Sequence, residues 1–173
     1  MKFSKLITVG LALTAIFMTS CERHDPEDET PISGYENGIL ITNEGGFSTP
    51  TASVSFLSND FSVNESDIFA KNNNSEKLGN VLQSISFKGD LAYLVVNKPS
   101  KIEIVNRNNF QKTGTITTNL DQPRYIAFHG NHTYVTNNNF FDVKKVSVFD
   151  AGNQFVKDIH FPRYAEKITS SGG

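Results

Sequence analysis

The stretch His132-Thr133-Tyr134-Val135-Thr136-Asn137-Asn138 decides the fold, because it has a near-copy upstream. Ile126, Phe128, Gly130, Tyr134 and Asn138 coincide with Ile85, Phe87, Gly89, Tyr93 and Asn97 at a constant offset of 41 residues. Each copy runs on into a second apolar segment, Lys101-Ile-Glu-Ile-Val105 or Lys145-Val-Ser-Val-Phe149. Each then closes with a short one, Gly114-Thr-Ile116 or Val156-Lys-Asp-Ile159. Four short strands in a repeat of about 40–45 residues is the period of a β-propeller blade.

The strand patterns agree. Tyr93-Leu-Val-Val is apolar throughout, as a strand buried on both faces would be. Lys101-Ile-Glu-Ile-Val-Asn alternates, which predicts one wetter face. Lys88-Gly89-Asp90 and His129-Gly130-Asn131 supply the tight turns between the first and second strands. No segment after the leader shows a helical period, so the class is all-β.

Working outward, Gly38-Ile-Leu-Ile-Thr42-Asn43 aligns with a second strand and Ala52-Ser-Val-Ser-Phe56-Leu57 with a third. A fourth is expected near Asp67-Ile-Phe69, and no first strand precedes Ile39. The division is an incomplete blade at 38–70, blades at about 80–117 and 122–160, and the start of a further blade at 164–173, where Ile168 matches Ile126. About three blades are therefore expected, of about seven in a closed ring. The sequence reads as the N-terminal part of a longer propeller, the alternative being a short chain that oligomerises to close a ring.

Tyr134-Val135-Thr136-Asn137 spells the motif of the YVTN family of β-propeller repeats, and the chain resembles that family from about Gly38 to Ile168. Ile104 to Ile116 is similar to its third strand, turn and fourth strand. Asn43-Glu44 resembles the start of a loop common in its Bacteroidetes surface members. Such a resemblance implies a fold, and propellers host many unrelated activities.

Residues 1–21 read as a lipoprotein signal peptide. Lys2 and Lys5 precede an apolar run from Leu6 to Met18, too short for a spanning helix of about 20 residues. Met18-Thr-Ser-Cys21 resembles a bacterial lipobox, which implies that Cys21, the single cysteine, carries lipid. Residues 22–37 follow with five acids in their first eight positions and read as a disordered tether. Acids just after a lipobox cysteine resemble the surface-export signal of Bacteroidetes lipoproteins, which implies an outer-membrane, cell-surface location. Without Lys2 and Lys5 the chain carries 14 basic and 18 acidic residues, and no basic face for nucleic acid is expected.

In a propeller, the loops between blades share one face with the loops joining second to third strands. That face collects Asn43 and Glu44, Gln83, Asn97, Arg124 and Tyr125, Asn138, Phe140 and Phe141, and Glu166, all named here as candidate ligand contacts. Phe140 and Phe141 cannot both enter one interface. Either one faces solvent or a ligand, or one packs between blades and the other covers it. Arg124 can bind a carboxylate or phosphate, or form an inter-blade ion pair with Glu166.

No catalytic residue, metal site or cofactor is read from the sequence. His129 and His132 bracket a hairpin turn, where two imidazoles without a third ligand face solvent. The leading expectation is a non-catalytic surface lipoprotein that captures a small molecule, glycan or protein. The resemblance extends to cobalamin-capturing propeller lipoproteins that serve a TonB-dependent transporter, and implies that ligand and partner. The alternative is a propeller enzyme (lactonase, lyase or quinoprotein-like) whose catalytic residues lie in further blades.

Overall fold

A computed structural model describes residues 34–171. The expected signal peptide, Cys21 and most of the acidic segment lie outside the described residues. Three antiparallel sheets follow one another along the chain, each with its strands in sequence order. The first holds β1 (Gly38–Asn43), β2 (Ser53–Ser58) and β3 (Asn64–Glu65), and a one-turn helix α1 (Ile68–Asn72) follows it. The second holds β4 (Val81–Lys88), β5 (Leu91–Lys98), β6 (Lys101–Asn106) and β7 (Lys112–Ile116). The third holds β8 (Pro123–His129), β9 (His132–Asn138), β10 (Lys144–Phe149) and β11 (Phe155–His160). These are three propeller blades, in the all-β class that the repeat predicts.

Alternation along β5 explains how they stack. Ala92, Leu94 and Val96 enter a core shared with Val54, Phe56, Ile68 and Phe69 of the first sheet and its flanks, and with Phe110 from the β6–β7 turn. Tyr93 and Val95 point the other way, into a core with Ile102, Ile104, Ile126, Val135 and Phe149. One strand thus supplies apolar surface to two interfaces, which is why it is aliphatic or aromatic at every position from Leu91 to Val96. Gly89 and Gly130 hold φ of +56° and +54° at the hairpin turns, where a side chain would be strained.

Three expectations need correction. The outer strand of the first blade is Asn64–Glu65, and Asp67-Ile-Phe69 enters α1 instead. Ile68 and Phe69 are both fully buried in one core, whereas a strand sends consecutive side chains to opposite faces. Asp67 caps the turn by accepting from the Ala70 amide at 3.3 Å. A five-residue helix is too short to leave a period in the sequence.

The second correction concerns β6. The expected wet face is covered, and Glu103 is only 2% exposed. Its carboxylate accepts from Lys101 Nζ at 2.5 Å and Thr115 Oγ1 at 2.6 Å, so the buried charge is paired. The connection between the first two blades lies over this face, where Lys112 bonds Glu76 at 2.6 Å.

The third concerns the start of packing, which precedes residue 38. The Tyr35 amide donates to the Asn108 carbonyl at 2.6 Å, and its ring meets Phe56 and Phe110 edge-on at 5.1 and 5.7 Å. Burial raises the Tyr35 pKa, and its hydroxyl bonds Glu65 at 3.1 Å. Residues 161–171 form no strand, although the Glu166 carbonyl accepts from Thr136 Oγ1 at 2.7 Å.

Candidate functional site: a trough between blades

The innermost strands carry a bulge at the same place in each complete repeat. On β4, Leu82 pairs with Val96 and Ser84 with Val95, leaving Gln83 without a partner. On β8, Pro123 pairs with Asn137 and Ile126 with Val135, so Arg124 and Tyr125 together oppose Thr136. The Thr136 hydroxyl replaces the lost ladder contact by accepting from the Tyr125 amide at 3.0 Å. A bulge re-aims one side chain, and here it sends Gln83 and Arg124 toward the same opening.

That opening is a trough of about 790 Å³, lined by Glu44, Phe47, Leu82, Gln83, Asn97, Gln122, Arg124, Asn139, Phe140 and Phe141, together with Thr42, Gly45 and Val81. Its volume lies within the small-ligand range of about 300–1,000 Å³. The segments leaving β1 and β9 form its two aromatic walls. Phe47 is 63% exposed, with Lys98 Nζ 3.5 Å from its ring centroid. Phe140 and Phe141 are 56% and 83% exposed. Neither of the pair packs between blades, so that sequence alternative is overturned.

The loop holding the pair is built by asparagine side chains. Asn138 Oδ1 accepts from the Phe140 amide at 2.7 Å. Asn139 Oδ1 accepts from the amides of Phe141, Asp142 and Val143 at 3.0, 3.2 and 3.1 Å. The Tyr164 hydroxyl donates toward the Phe140 carbonyl at 2.9 Å. Phe140 itself is held at φ +63°, a region unfavourable to a bulky side chain.

Arg124 forms the ion pair with Glu166 that the sequence allowed, and it also lines the trough. Its Nε and Nη2 donate to Glu166 Oε1 at 3.0 and 2.8 Å, while its guanidinium lies 5.1 Å from the Phe140 centroid and lines the trough. Asn138 Nδ2 donates to the same Glu166 at 3.2 Å. Asn138 and Glu166 therefore stand behind the wall and hold it.

The other candidates separate. Glu44, Gln83, Asn97, Arg124, Phe140 and Phe141 line the trough. Asn43 turns to the opposite face of β1 and donates to Ser53 and Ser55 hydroxyls at 3.1 and 3.0 Å. Tyr125 bonds Thr136 through its backbone and does not line the opening. Phe47, Gln122 and Asn139 were missed, although Phe47 carried the same signal as Phe140, an aromatic in a polar loop on this face. Asn137 is fully buried and its Oδ1 accepts from the Asp121 amide at 2.8 Å, so this motif position fastens the connection between blades. Among the described residues no group of three or more His, Cys, Asp or Glu side chains is placed to hold a metal.

Repeated blades with paired bulges aimed at one inter-blade face define a β-propeller with a ligand-sized opening. The chain belongs to a family described as a domain of unknown function, DUF5074, whose model matches residues 37–160. No curated protein matches it. It is similar to the crystal structure of Citrobacter koseri AztD at 16% identity and a TM-score of 0.52, over 69% of this chain and 32% of that one. A structure of apo AztD from the same organism aligns at 14% identity and a TM-score of 0.49, over 68% and 34%. The chain thus spans about a third of the AztD length. At this identity the likeness is one of fold.

Proposed function

We propose that this protein is a non-catalytic binding protein that captures a ligand in the inter-blade trough. The observation that carries the reading is the state of the trough's polar groups. Gln83, Gln122, Glu44 and Thr42 make no side-chain hydrogen bond among the described residues, yet all four line one opening rimmed by exposed phenyl rings. Polar groups without internal partners beside desolvating aromatic walls are what a preformed small-ligand site requires. Among the described lining residues Glu44 is the single carboxylate, and none is histidine or cysteine.

The finer reading rests on the resemblance to YVTN-repeat surface lipoproteins. In it Cys21 carries lipid, the chain sits on the outer membrane, and a TonB-dependent transporter receives the ligand. Cobalamin is then the first compound to test.

Calorimetric titration of cyanocobalamin into the full-length mature protein, from residue 22 onward, tests the ligand. The reading expects submicromolar binding that Phe141→Ala weakens at least tenfold. Absence of heat and of any melting-temperature shift removes cobalamin. The anchor is tested separately with Cys21→Ser, which is expected to move the protein from the membrane fraction to the soluble one. Retention in the membrane fraction would remove the lipid anchor.

A further inference from the structure

We propose that the trough binds pyranose rings of a neutral glycan, stacked on Phe141 and on the open face of Phe140, with the Gln83 and Gln122 amides taking ring hydroxyls. This rests on the trough being a ligand site and names the class of ligand from its chemistry.

The wall is the first argument. Phe140 keeps a bulky side chain at φ +63°, where glycine or asparagine would sit without that strain. Three surrounding groups, Asn138 Oδ1, Asn139 Oδ1 and the Tyr164 hydroxyl, hold the Phe140–Phe141 segment in this shape. The ring gains nothing from a core, since it is 56% exposed. Phe61 shares this conformation and exposure, and what sets Phe140 apart is that its ring lines the trough beside Phe141 and Arg124. Arg124 on one side and Tyr164, with ring centroids 6.1 Å apart, fix the ring orientation before any ligand arrives.

Charge and hydrogen bonding in the trough point to the same class of ligand. Arg124, the one cationic side chain among the described lining residues, is already paired with Glu166, and Lys98 at the wall lies over the Phe47 ring. Gln83 and Gln122 each offer a donor and an acceptor, the combination that vicinal hydroxyl groups satisfy. A ligand with flat apolar faces and hydroxyl-bearing edges matches both sets of groups, and a pyranose ring has that form.

The test uses the full-length protein with maltohexaose, cellohexaose and mannohexaose, and with cyanocobalamin as a non-saccharide probe, all by calorimetry. At least one hexasaccharide is expected to bind, and Phe141→Ala and Gln83→Ala are each expected to weaken it at least tenfold. Phe140→Asn is expected to match or raise the melting temperature while weakening binding to the same degree, an outcome that misfolding cannot imitate. Cobalamin binding that Phe141→Ala disrupts, with no saccharide binding, overturns the glycan class and leaves the trough reading intact. Saccharide binding unaffected by these variants overturns the site. Binding of none of the four overturns both.

Discussion

Glu103 shows how a single residue can mislead a pattern and then explain itself. Its place in an alternating strand marks a wet face, and the structure buries it against Lys101 and Thr115. Removing one partner of a buried pair strands the other, so Glu103→Ala should cost on the order of 3 kcal/mol in urea unfolding. A loss below about 0.5 kcal/mol, the range of ordinary surface changes, would contradict the burial. Asp60 is the opposite case, an exposed carboxylate with a local task. Its Oδ1 accepts from Ser58 Oγ at 2.5 Å and from the Ser62 amide at 3.0 Å, and these bonds, led by the serine hydroxyl, lower its pKa from 3.8 to about 2. Because the folded pKa is the lower one, its contribution is complete above the unfolded value and is lost as pH falls toward about 2. An NMR titration should place the Asp60 midpoint near 2, and Ser58→Ala should return it toward the ordinary value.

At the scale of the element, the strands whose side chains repeat were the legible ones. β4, β5, β8 and β9 follow from residues 41 apart in two copies, and their turns from Gly89 and Gly130. The bulges were not legible, because an unpartnered residue such as Gln83 differs from its neighbours in pairing and not in type. α1 was illegible for a different reason. Its helical state is imposed by the burial of both Ile68 and Phe69, a tertiary demand that one turn of sequence cannot display. The double-sided role of β5 makes it the most sensitive strand. Leu94→Ala, at a fully buried position in the first core, should cost about 2–5 kcal/mol by chemical denaturation. A cost near zero would mean that the two blades do not share that core.

For the whole molecule, the ring geometry places the site where neighbouring blades meet, so it could be guessed only by face. Six of the ten candidate contacts fall on one opening because inter-blade loops converge there. Asn43 falls elsewhere because strand alternation turns its side chain to Ser53 and Ser55, and Tyr125 shares its bulge with Arg124 and does not line the opening. Among the described residues β1 is paired on one side only, with Ile39 and Ile41 exposed. Its amides should exchange with solvent faster than those of β5, which is paired on both sides. Equal protection would show that another strand covers β1 in solution.

Oxidative footprinting of the phenylalanines tests the central claim most directly, because Phe61 supplies an internal control. Phe61 is 72% exposed, comparable to the trough rings, and sits in the β2–β3 turn on the opposite face of the blades. The full-length protein would be labelled alone, with each of the three hexasaccharides and with cyanocobalamin. Ligand capture in the trough predicts that at least one probe protects Phe47, Phe140 and Phe141 while Phe61 labels unchanged. Unaltered labelling of all four rings with every probe, or equal protection of Phe61, would contradict it.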